Sequence, residues 1–295
     1  MTVVVTGSAG FIGRALTRAL LAAGHQVIGV DRRTQPARPG LTVLTADLLD
    51  DDGLVRAALA RADAVYHLAG RPGVRETGPG VARLRHRDNV LAGARILAEV
   101  PANVPLVVTS SSSVYGGARH GRPSHEDDTP RPAGGYARSK LALERLCRSR
   151  PVTVVRPFTV AGEGQRPDMA LAVWLDAALR GHPLRILGSL DRTRDVTDVR
   201  QAAAAMIALT GVPGVVNLGT GRGQSLRAMT AAVAEATGRE IRHALEPAPP
   251  VEPGDSLADT RRLRALLGWT PETDLLDVVR RQHAAMTGRA LVAAP

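Results

Sequence analysis

Several residue types are scarce in this sequence, and each scarcity excludes a class of structure. Among 295 residues there is one cysteine, Cys147, with two phenylalanines, three tyrosines and two tryptophans. A single cysteine excludes an internal disulfide and a multi-cysteine metal site. No apolar run approaches the ~20 residues of a membrane-spanning helix, and Met1 leads into a predicted strand rather than a signal peptide. We therefore expect an aliphatic core, no membrane partner, no bound metal and a cytoplasmic location.

Lysine is the scarcest charged residue. The sequence has a formal net charge of +10, yet Lys140 is its only lysine among 38 basic residues. The arginines are dispersed and lack interleaved aromatics, which argues against nucleic-acid binding. A small anionic ligand, such as a dinucleotide or a nucleotide-linked substrate, accounts for the net positive charge better than a nucleic acid does. A lone lysine in an arginine-rich chain indicates that a compact amine is required at that position.

The first half of the chain alternates β-branched runs with helical patterns, as βαβ units do. We predict an α/β fold, a Rossmann-like doubly wound parallel sheet. The predicted strands are Thr2–Thr6, Gln26–Val30, Leu41–Thr45, Ala64–Leu68, Pro105–Thr109 and Val152–Arg156, and the predicted helices are Phe11–Ala23, Val81–Val100 and Tyr136–Arg148.

The second half is richer in proline and glycine and predicts a smaller, mixed substrate lobe. We divide the chain into a dinucleotide-binding domain, 1–157, and a substrate lobe, 158–295, with residues 196–218 returning to the first. Val215–Leu218 is the expected last strand of the main sheet, and Gly288–Pro295 is expected to be loosely held. Helices are predicted at Asp168–Arg180, Asp198–Thr210, Ser225–Thr237 and Asp259–Leu267.

A glycine-rich segment predicts a nucleotide site. Gly7, Gly10 and Gly13 form a GxxGxxG directly after the first strand, and Phe11 and Ile12 open the next helix. Glycines allow a tight turn and close approach of the backbone to a pyrophosphate, while the helix N-terminus offers free N–H groups. The alternative, a plain glycine turn, does not explain this strand-to-helix context.

The end of the second strand bears on cofactor choice. Asp31 lies where a carboxylate accepts hydrogen bonds from the adenosine ribose, which favours NAD. Arg32 and Arg33 follow it and could instead attract the 2′-phosphate of NADP. Asp47-Leu48, after the third strand, either presents a carboxylate to the adenine amino group or caps the following segment.

The catalytic candidates are Tyr136 and Lys140, which form a YxxxK, with the serine cluster Ser110–Ser113. Residues i and i+4 share one face of a helix, so the ammonium can lie beneath the phenol and lower its pKa from the usual ~10. Serines at the carboxyl end of a parallel strand face the ligand site, and one of them can hydrogen-bond the reacting oxygen. Two of the four serines are expected to be satisfied structural hydroxyls at a polar strand end.

Taken together, these motifs make the chain resemble the extended short-chain dehydrogenase/reductases, in particular the NAD-dependent epimerase/dehydratase family that acts on nucleotide sugars. The resembling motifs are TGSAGFIG at Thr6–Gly13, HLAG at His67–Gly70, SSSSVYG at Ser110–Gly116, EDDTPRPAGGYARSK at Glu126–Lys140, RDVTDV at Arg194–Val199, NLGTGRGQS at Asn217–Ser225, PGD at Pro253–Asp255 and LGW at Leu267–Trp269.

The resemblance implies roles for particular residues. Ser111, 25 residues before Tyr136, matches the family's catalytic Ser/Thr, and Asn89 matches its structural asparagine. Leu68, Ala69 and Gly70 match the loop that lines the cofactor. The implied substrate-binding residues are Ser112, Arg75, Thr159 and Arg194, of which Arg194 matches a diphosphate-contacting arginine; an Arg194–Asp195 surface pair is the alternative.

Three departures from the family pattern bear on the reaction. Ser112 and Ser113 occupy the positions where sugar 4,6-dehydratases carry Asp-Glu, so no acid is placed to eliminate water. Thr159 replaces the asparagine of an RxFN segment. Glu252 replaces an arginine before the PGD glycine, and a carboxylate near a diphosphate is repulsive.

Together these features predict an NAD-dependent nucleotide-sugar epimerase, acting at C4 through transient oxidation to a keto sugar. An NAD(P)H-dependent nucleotide-sugar 4-ketoreductase is the alternative, and a dinucleotide-sensing regulator without catalysis is a third hypothesis. The family resemblance also implies a homodimer through the Val81–Val100 and Tyr136–Arg148 helices, since the first of these carries more apolar residues than one buried face needs.

Overall fold

The computed structural model describes residues 1–118 and 121–288. The strands in these ranges are β1 Thr2–Thr6, β2 Gln26–Asp31, β3 Leu41–Thr45, β4 Ala64–His67, β5 Leu106–Thr109, β6 Thr153–Pro157, β7 Thr159–Ala161, β8 Leu184–Leu187, β9 Thr193–Asp198, β10 Gly214–Leu218, β11 Gly223–Ser225 and β12 His243–Glu246. The helices are α1 Phe11–Ala22, α2 Gly53–Ala60, α3 Val81–Arg85, α4 Ala92–Glu99, α5 Gly134–Leu146, α6 Ala170–Leu179, α7 Val199–Ala208, α8 Leu226–Thr237, α9 Arg261–Leu267 and α10 Leu275–Thr287.

Seven parallel strands form the central sheet, in the order β10-β6-β5-β4-β1-β2-β3. β4 and β5 are buried throughout, as strands covered by helices on both faces must be. The strand order reverses beside β1, which lies between β2 and β4. Ligands of such sheets bind at the carboxyl ends of strands next to this reversal, so the loops after β1 and β4 border the expected site. The predicted fold class is confirmed.

Helices cover both faces of the sheet. On one face α1 packs against α7, with Leu16 and Met206 fully buried between them and the strands. On the other face α2, α4 and α5 contribute Leu59, Ile96 and Leu143, all at most 1% exposed. This packing fixes the start of α1 and the start of α5 relative to the carboxyl ends of the strands.

A smaller lobe follows the sixth strand. It contains the mixed sheet β11-β9-β7, the parallel pair β12-β8 and the helices α6, α8 and α10, which share an apolar core around Trp174, Leu175 and Val233. β10 returns to the main sheet beside β6, as predicted for Val215–Leu218. The sequence-based assignment missed α2, α10 and the short strands β7, β8, β9, β11 and β12.

The predicted helix Val81–Val100 is continuous but not uniform. Its middle turn, His86–Leu91, is π-helical and joins α3 to α4. Such insertions often occur at functional sites, and this one carries Asn89. Among the described residues no helix is long and apolar enough to cross a membrane. Of the predicted loose tail, 289–295 lies outside the described residues.

Candidate active site

The three glycines after β1 are packed too closely to accept a side chain. Gly7 has a φ of +73°, and a Cβ on it would lie 2.6 Å from the backbone nitrogen of Ala69. A Cβ on Gly10 or Gly13 would lie 2.9 or 2.1 Å from the carbonyl oxygen of Gly7. The loop after β1 is thereby pressed against the loop after β4, at the N-terminus of α1. Phe11 and Ile12, the first two residues of α1, pack partly buried against the core below.

Asp31 faces this glycine loop. Its Oδ2 accepts a hydrogen bond from the backbone nitrogen of Ala9 at 3.1 Å, and its Oδ1 accepts from the backbone and side chain of Arg33. Arg32 is turned away toward Asp88, at 3.2 Å. Beside Ala9 a groove of about 210 Å³ is lined by further arginines. A glycine cradle, a carboxylate at the strand end and a basic groove together fit a dinucleotide.

Asp47 is engaged within the protein. Its Oδ1 accepts from the backbone nitrogen of Leu49 at 3.0 Å, and its Oδ2 accepts from Arg87 at 2.6 Å. Burial alone would raise the pKa of Asp47, but the hydrogen bonds from Arg87 and Leu49 outweigh it and lower that pKa. These contacts match the predicted capping role, while Leu48 is a buried neighbour in the core. An adenine contact by Asp47 remains a prediction.

The HLAG segment, His67–Gly70, connects the glycine loop after β1 with α5, the helix that carries Tyr136. Leu68 and Ala69 lie against the glycine loop, and a Cβ on Gly70 would meet the Oδ1 of Asn89 at 2.7 Å. Asn89 Oδ1 accepts from the backbone nitrogen of Arg71 at 2.6 Å, and its Nδ2 donates to Ser139 at 2.8 Å. Asn89 therefore ties this loop to α5, the helix that carries Tyr136 and Lys140.

His67 in the same segment is 1% exposed. Its Nδ1 shares a 2.8 Å hydrogen bond with Thr6 Oγ1, and among the described residues its Nε2 has no hydrogen-bond partner. Burial, assisted by the charge of Lys140, lowers the pKa of His67 to about 3. His67 is therefore neutral at physiological pH.

Tyr136 and Ser111 meet at the carboxyl edge of the sheet. Ser111 ends the segment after β5, where its Oγ accepts from the backbone nitrogen of Ser113 at 3.1 Å. Burial raises the pKa of Tyr136, while a hydrogen bond with Ser111 and the charges of Arg166 and Arg85 oppose the rise. Tyr136 and Ser111 thus lie close together, as their predicted catalytic roles require.

Lys140 is 5% exposed, one turn after Tyr136. Its Nζ donates to the carbonyl oxygen of Thr109 at 2.8 Å and lies 3.5 Å from the Cβ position of Gly70. Burial lowers the pKa of Lys140 to about 8. The charges that oppose the rise in the pKa of Tyr136 are those of Arg166 and Arg85, and a lowering of that pKa by Lys140 remains a prediction. The ammonium points toward the cofactor loop.

The other serines differ in their contacts: the Ser110 hydroxyl is hydrogen-bonded within the protein, whereas the buried Oγ of Ser113 has no hydrogen-bond partner among the described residues. Ser110 Oγ donates to Glu144, which lies one turn after Lys140 on α5. Glu144 in turn accepts two hydrogen bonds from buried Arg156, at 2.7 and 2.9 Å. This network holds the serine cluster Ser110–Ser113 against α5. Ser112 is partly exposed beside Ser111.

The substrate-side residues do not all lie where the sequence predicts. Arg194 does not pair with Asp195, which is fully buried and accepts hydrogen bonds from Thr220, Gly221 and Ala258. Instead Arg194 pairs with Glu252 at 2.7 Å.

The other two predicted substrate residues lie on different elements. Arg75 bonds the same Glu252 carboxylate at 2.8 Å. Thr159, on β7, is partly buried beside β9. The predicted substrate arginines therefore share one anionic partner inside the protein.

Comparison with known proteins identifies the family. The model of the "NAD dependent epimerase/dehydratase family" matches residues 3–219. The chain belongs to this family. The UDP-glucose 4-epimerase of Mycolicibacterium smegmatis is 31% identical over 95% of this chain and 97% of its own length.

Two solved structures extend the comparison to the whole fold. MoeE5 in complex with UDP-glucuronic acid and NAD is 36% identical, with a TM-score of 0.87, over 98% of this chain and 99% of that one. The UDP-glucuronic acid 4-epimerase from Bacillus cereus, in complex with UDP-glucuronic acid and NAD, is 27% identical, with a TM-score of 0.90, over 98% and 99%. Both lobes of this family member therefore have counterparts in ligand-bound structures.

Sequence reasoning missed four residues of this site. Arg85 and Arg166 are distant from Tyr136 in sequence, and their charges oppose the rise in its pKa. Glu144 and Arg156 are the other two, and Glu144 hydrogen-bonds both Ser110 and Arg156. Glu144 follows Lys140 by four residues, so its helical face was visible in the sequence. Arg85 and Arg166 had no such signal in a chain with so many arginines.

Proposed function

We propose that this enzyme is an NAD-dependent 4-epimerase of UDP-linked hexoses or hexuronates. The observation that carries the proposal is Tyr136 beside Ser111, at the sheet edge next to a glycine cradle built for a dinucleotide. The 4-epimerase relatives and the UDP-sugar complexes support C4 of a UDP-sugar as the reacting centre. Ser112 and Ser113, where a dehydratase carries acids, leave no carboxylic acid next to Ser111 to eliminate water.

NAD fits the described residues better than NADP. Gly7, Gly10 and Gly13 would receive the pyrophosphate and Asp31 the adenosine ribose. Arg32 is committed to Asp88 and Arg33 to Asp31 itself, which weakens the case for a 2′-phosphate contact. When bound, NAD supplies a reversible two-electron oxidation of the sugar carbinol. The pairing of both arginines also weakens the case for an NADPH-dependent ketoreductase.

The chain's own residues handle the proton and the oxygen. Tyr136 takes the proton from the C4 hydroxyl and returns it to the same oxygen after the sugar has turned. Ser111 hydrogen-bonds that oxygen and holds it against Tyr136. Lys140, cationic at neutral pH and oriented by the carbonyl of Thr109, would hold the cofactor side in place. An intact set of these three groups argues against a regulator without catalysis.

We also propose a homodimer and the division into domains 1–157 and 158–295. Leu84 and Leu91 are 39% and 45% exposed, seven residues apart on the helix that runs from α3 to α4. A second copy of the same helix pair would cover them. Cys147 is 4% exposed and packs as a small core residue. Analytical ultracentrifugation should give a dimer that Leu91→Glu dissociates, and a monomer at every concentration would exclude it.

The experiment for the reaction uses UDP-glucose and UDP-glucuronate, with products separated by anion-exchange chromatography. We expect wild type to convert at least one of them to its C4 epimer and Tyr136→Phe to be slower by more than ~100-fold, the scale of lost acid–base catalysis. Tyr66→Phe is the matched control, since Tyr66 bonds only Thr210 on the far side of the sheet in the described structure. Equal activity of Tyr136→Phe and Tyr66→Phe would reject the assignment.

A further inference from the structure

One carboxylate holds both candidate substrate arginines. Glu252 Oε2 accepts a hydrogen bond from Arg75 Nε at 2.9 Å and lies 2.8 Å from Arg75 Nη2, and Glu252 Oε1 accepts from Arg194 Nη2 at 2.7 Å. The side chains of Glu252 and Arg194 are 9% and 11% exposed, whereas that of Arg75 is 45% exposed. The group is therefore partly shielded from water and open on the side of Arg75.

The arginines keep this carboxylate charged. Burial alone would raise the pKa of Glu252, but the hydrogen bond from Arg194 and the charge of Arg75 outweigh it and lower that pKa. Glu252 is thus an anion at neutral pH. Two cations and one anion leave a net positive charge at the site.

The ion pair belongs to segments that lie close to the start of α5, the helix that carries Tyr136. A Cβ on Gly134, two residues before Tyr136, would lie 3.3 Å from Val251 and 4.0 Å from the carbonyl oxygen of Val74. A Cβ on Gly117, just after the serine segment, would lie 3.0 Å from Pro253. The segments that carry Arg75 and Glu252 thus meet above the start of α5.

We propose that Glu252 is a resident counter-anion whose place the diphosphate of the substrate takes on Arg75 and Arg194. This inference rests on the proposed UDP-sugar substrate. A diphosphate carries more charge and more acceptor oxygens than one carboxylate, and guanidinium groups bind phosphate oxygens in pairs. Glu252 therefore lowers the affinity for every diphosphate ligand, because it competes with the diphosphate for the same two guanidinium groups.

The site can survive the exchange because Arg194 has other anchors. Its Nη1 donates to the carbonyl oxygens of Thr193 and Gly254 at 2.8 and 2.9 Å, and its Nη2 also donates to that of Pro253 at 3.0 Å. Arg194 therefore stays oriented when the carboxylate leaves. If Glu252 were only a structural tie, its loss would loosen this segment and weaken ligand binding. The two roles predict opposite changes in affinity.

The test compares Glu252→Gln with Glu246→Gln by titration calorimetry. Gln keeps the shape of Glu and removes one charge, and Glu246 pairs with the exposed Arg185 on β8. With UDP as ligand, we expect Glu252→Gln to bind roughly five- to tenfold more tightly than wild type, the scale of removing one nearby charge. Glu246→Gln should stay within about twofold of wild type, because its charge is screened by solvent. Uridine, which lacks phosphate, should bind all three proteins equally.

A second titration with inorganic pyrophosphate separates this inference from the proposed function. If Glu252→Gln bound pyrophosphate more tightly than wild type but the enzyme turned over no UDP-sugar, the counter-anion role of Glu252 would stand. The proposed UDP-sugar substrate would then be rejected. Equal or weaker binding of UDP and pyrophosphate by Glu252→Gln would overturn the counter-anion role, even if wild type is an active epimerase.

Discussion

The glycine cradle gives the most direct test of how packing produces cofactor binding. A methyl group on Gly13 would lie 2.1 Å from the carbonyl oxygen of Gly7, 2.9 Å from its carbonyl carbon and 3.0 Å from the Cα of Ser8. All three atoms belong to the backbone, so no side chain can rotate away. Gly7 is itself held by a 2.7 Å hydrogen bond to Val30 and has no free space toward Ala69.

Two energies of opposite sign decide the outcome of Gly13→Ala. Alanine inside a helix gains ~0.5–1 kcal/mol over glycine. Overpacking of a close backbone contact costs ~1–3 kcal/mol or more. We therefore expect a net loss of about 1–2 kcal/mol in the free energy of unfolding. Because Gly7 must move, we also expect NAD affinity to fall by about tenfold or more.

Gly53→Ala is the matched control. Gly53 opens α2, and a Cβ there meets no atom within 4 Å. This variant should be unchanged or more stable by up to ~1 kcal/mol, with wild-type NAD affinity. Chemical denaturation and titration calorimetry measure both quantities. If Gly13→Ala matched Gly53→Ala in both, the close-packed cradle would be the wrong explanation for the three glycines.

Three further predictions concern the catalytic side and the cofactor. Lys140→Arg should lower turnover by roughly 100-fold despite keeping the charge, because a planar guanidinium cannot occupy the compact space between Thr109 and Gly70. If the Lys140→Arg variant had the turnover of wild type, any cation would suffice at this position. Asp31 should make NAD bind more tightly than NADP in calorimetry, and the reverse order would give the arginines that follow it the role of phosphate contacts. Folded His67 has a pKa of about 3, whereas in the unfolded chain its pKa is the ordinary ~6.5. Below pH ~6.5 the unfolded chain therefore binds a proton that folded His67 does not. The contribution of His67 to the free energy of unfolding is complete above that pH and is lost as pH falls toward 3. Between pH 7 and pH 5 this loss is ~2 kcal/mol. Over that range the free energy of unfolding of His67→Asn should therefore fall less than that of the exposed control His86→Asn. An equal fall for the two variants would refute the buried neutral histidine.

Local patterns carried most of the successful predictions. The strand, glycine turn and helix from Thr2 to Ala22 needed only period, glycine spacing and a β-branched run. The Tyr136–Lys140 spacing placed both residues on α5. Neither pattern depends on distant parts of the chain, which is why both could be read from the sequence.

Tertiary contacts account for what the sequence did not predict. Arg281 on the missed helix α10 is buried by Glu163 and Asp198, which lie 118 and 83 residues away. Its charge makes the segment look solvent-exposed until those partners are known. Glu252 meets Arg75 across 177 residues, and no local pattern encodes that distance. The sequence showed that Glu252 was unusual but not which groups it would neutralise.

Epimerisation by oxidation and reduction at C4 leaves the hydrogen on that carbon unexchanged with solvent. NMR of the products from UDP-glucose and UDP-glucuronate that carry deuterium at C4 measures this directly. We predict that every C4 epimer formed keeps the label, and that unlabelled substrate gains no deuterium at C4 in heavy water. Loss of the label to solvent would indicate removal of a proton from carbon, and it would contradict both proton transfer from oxygen by Tyr136 and hydride transfer to the bound dinucleotide.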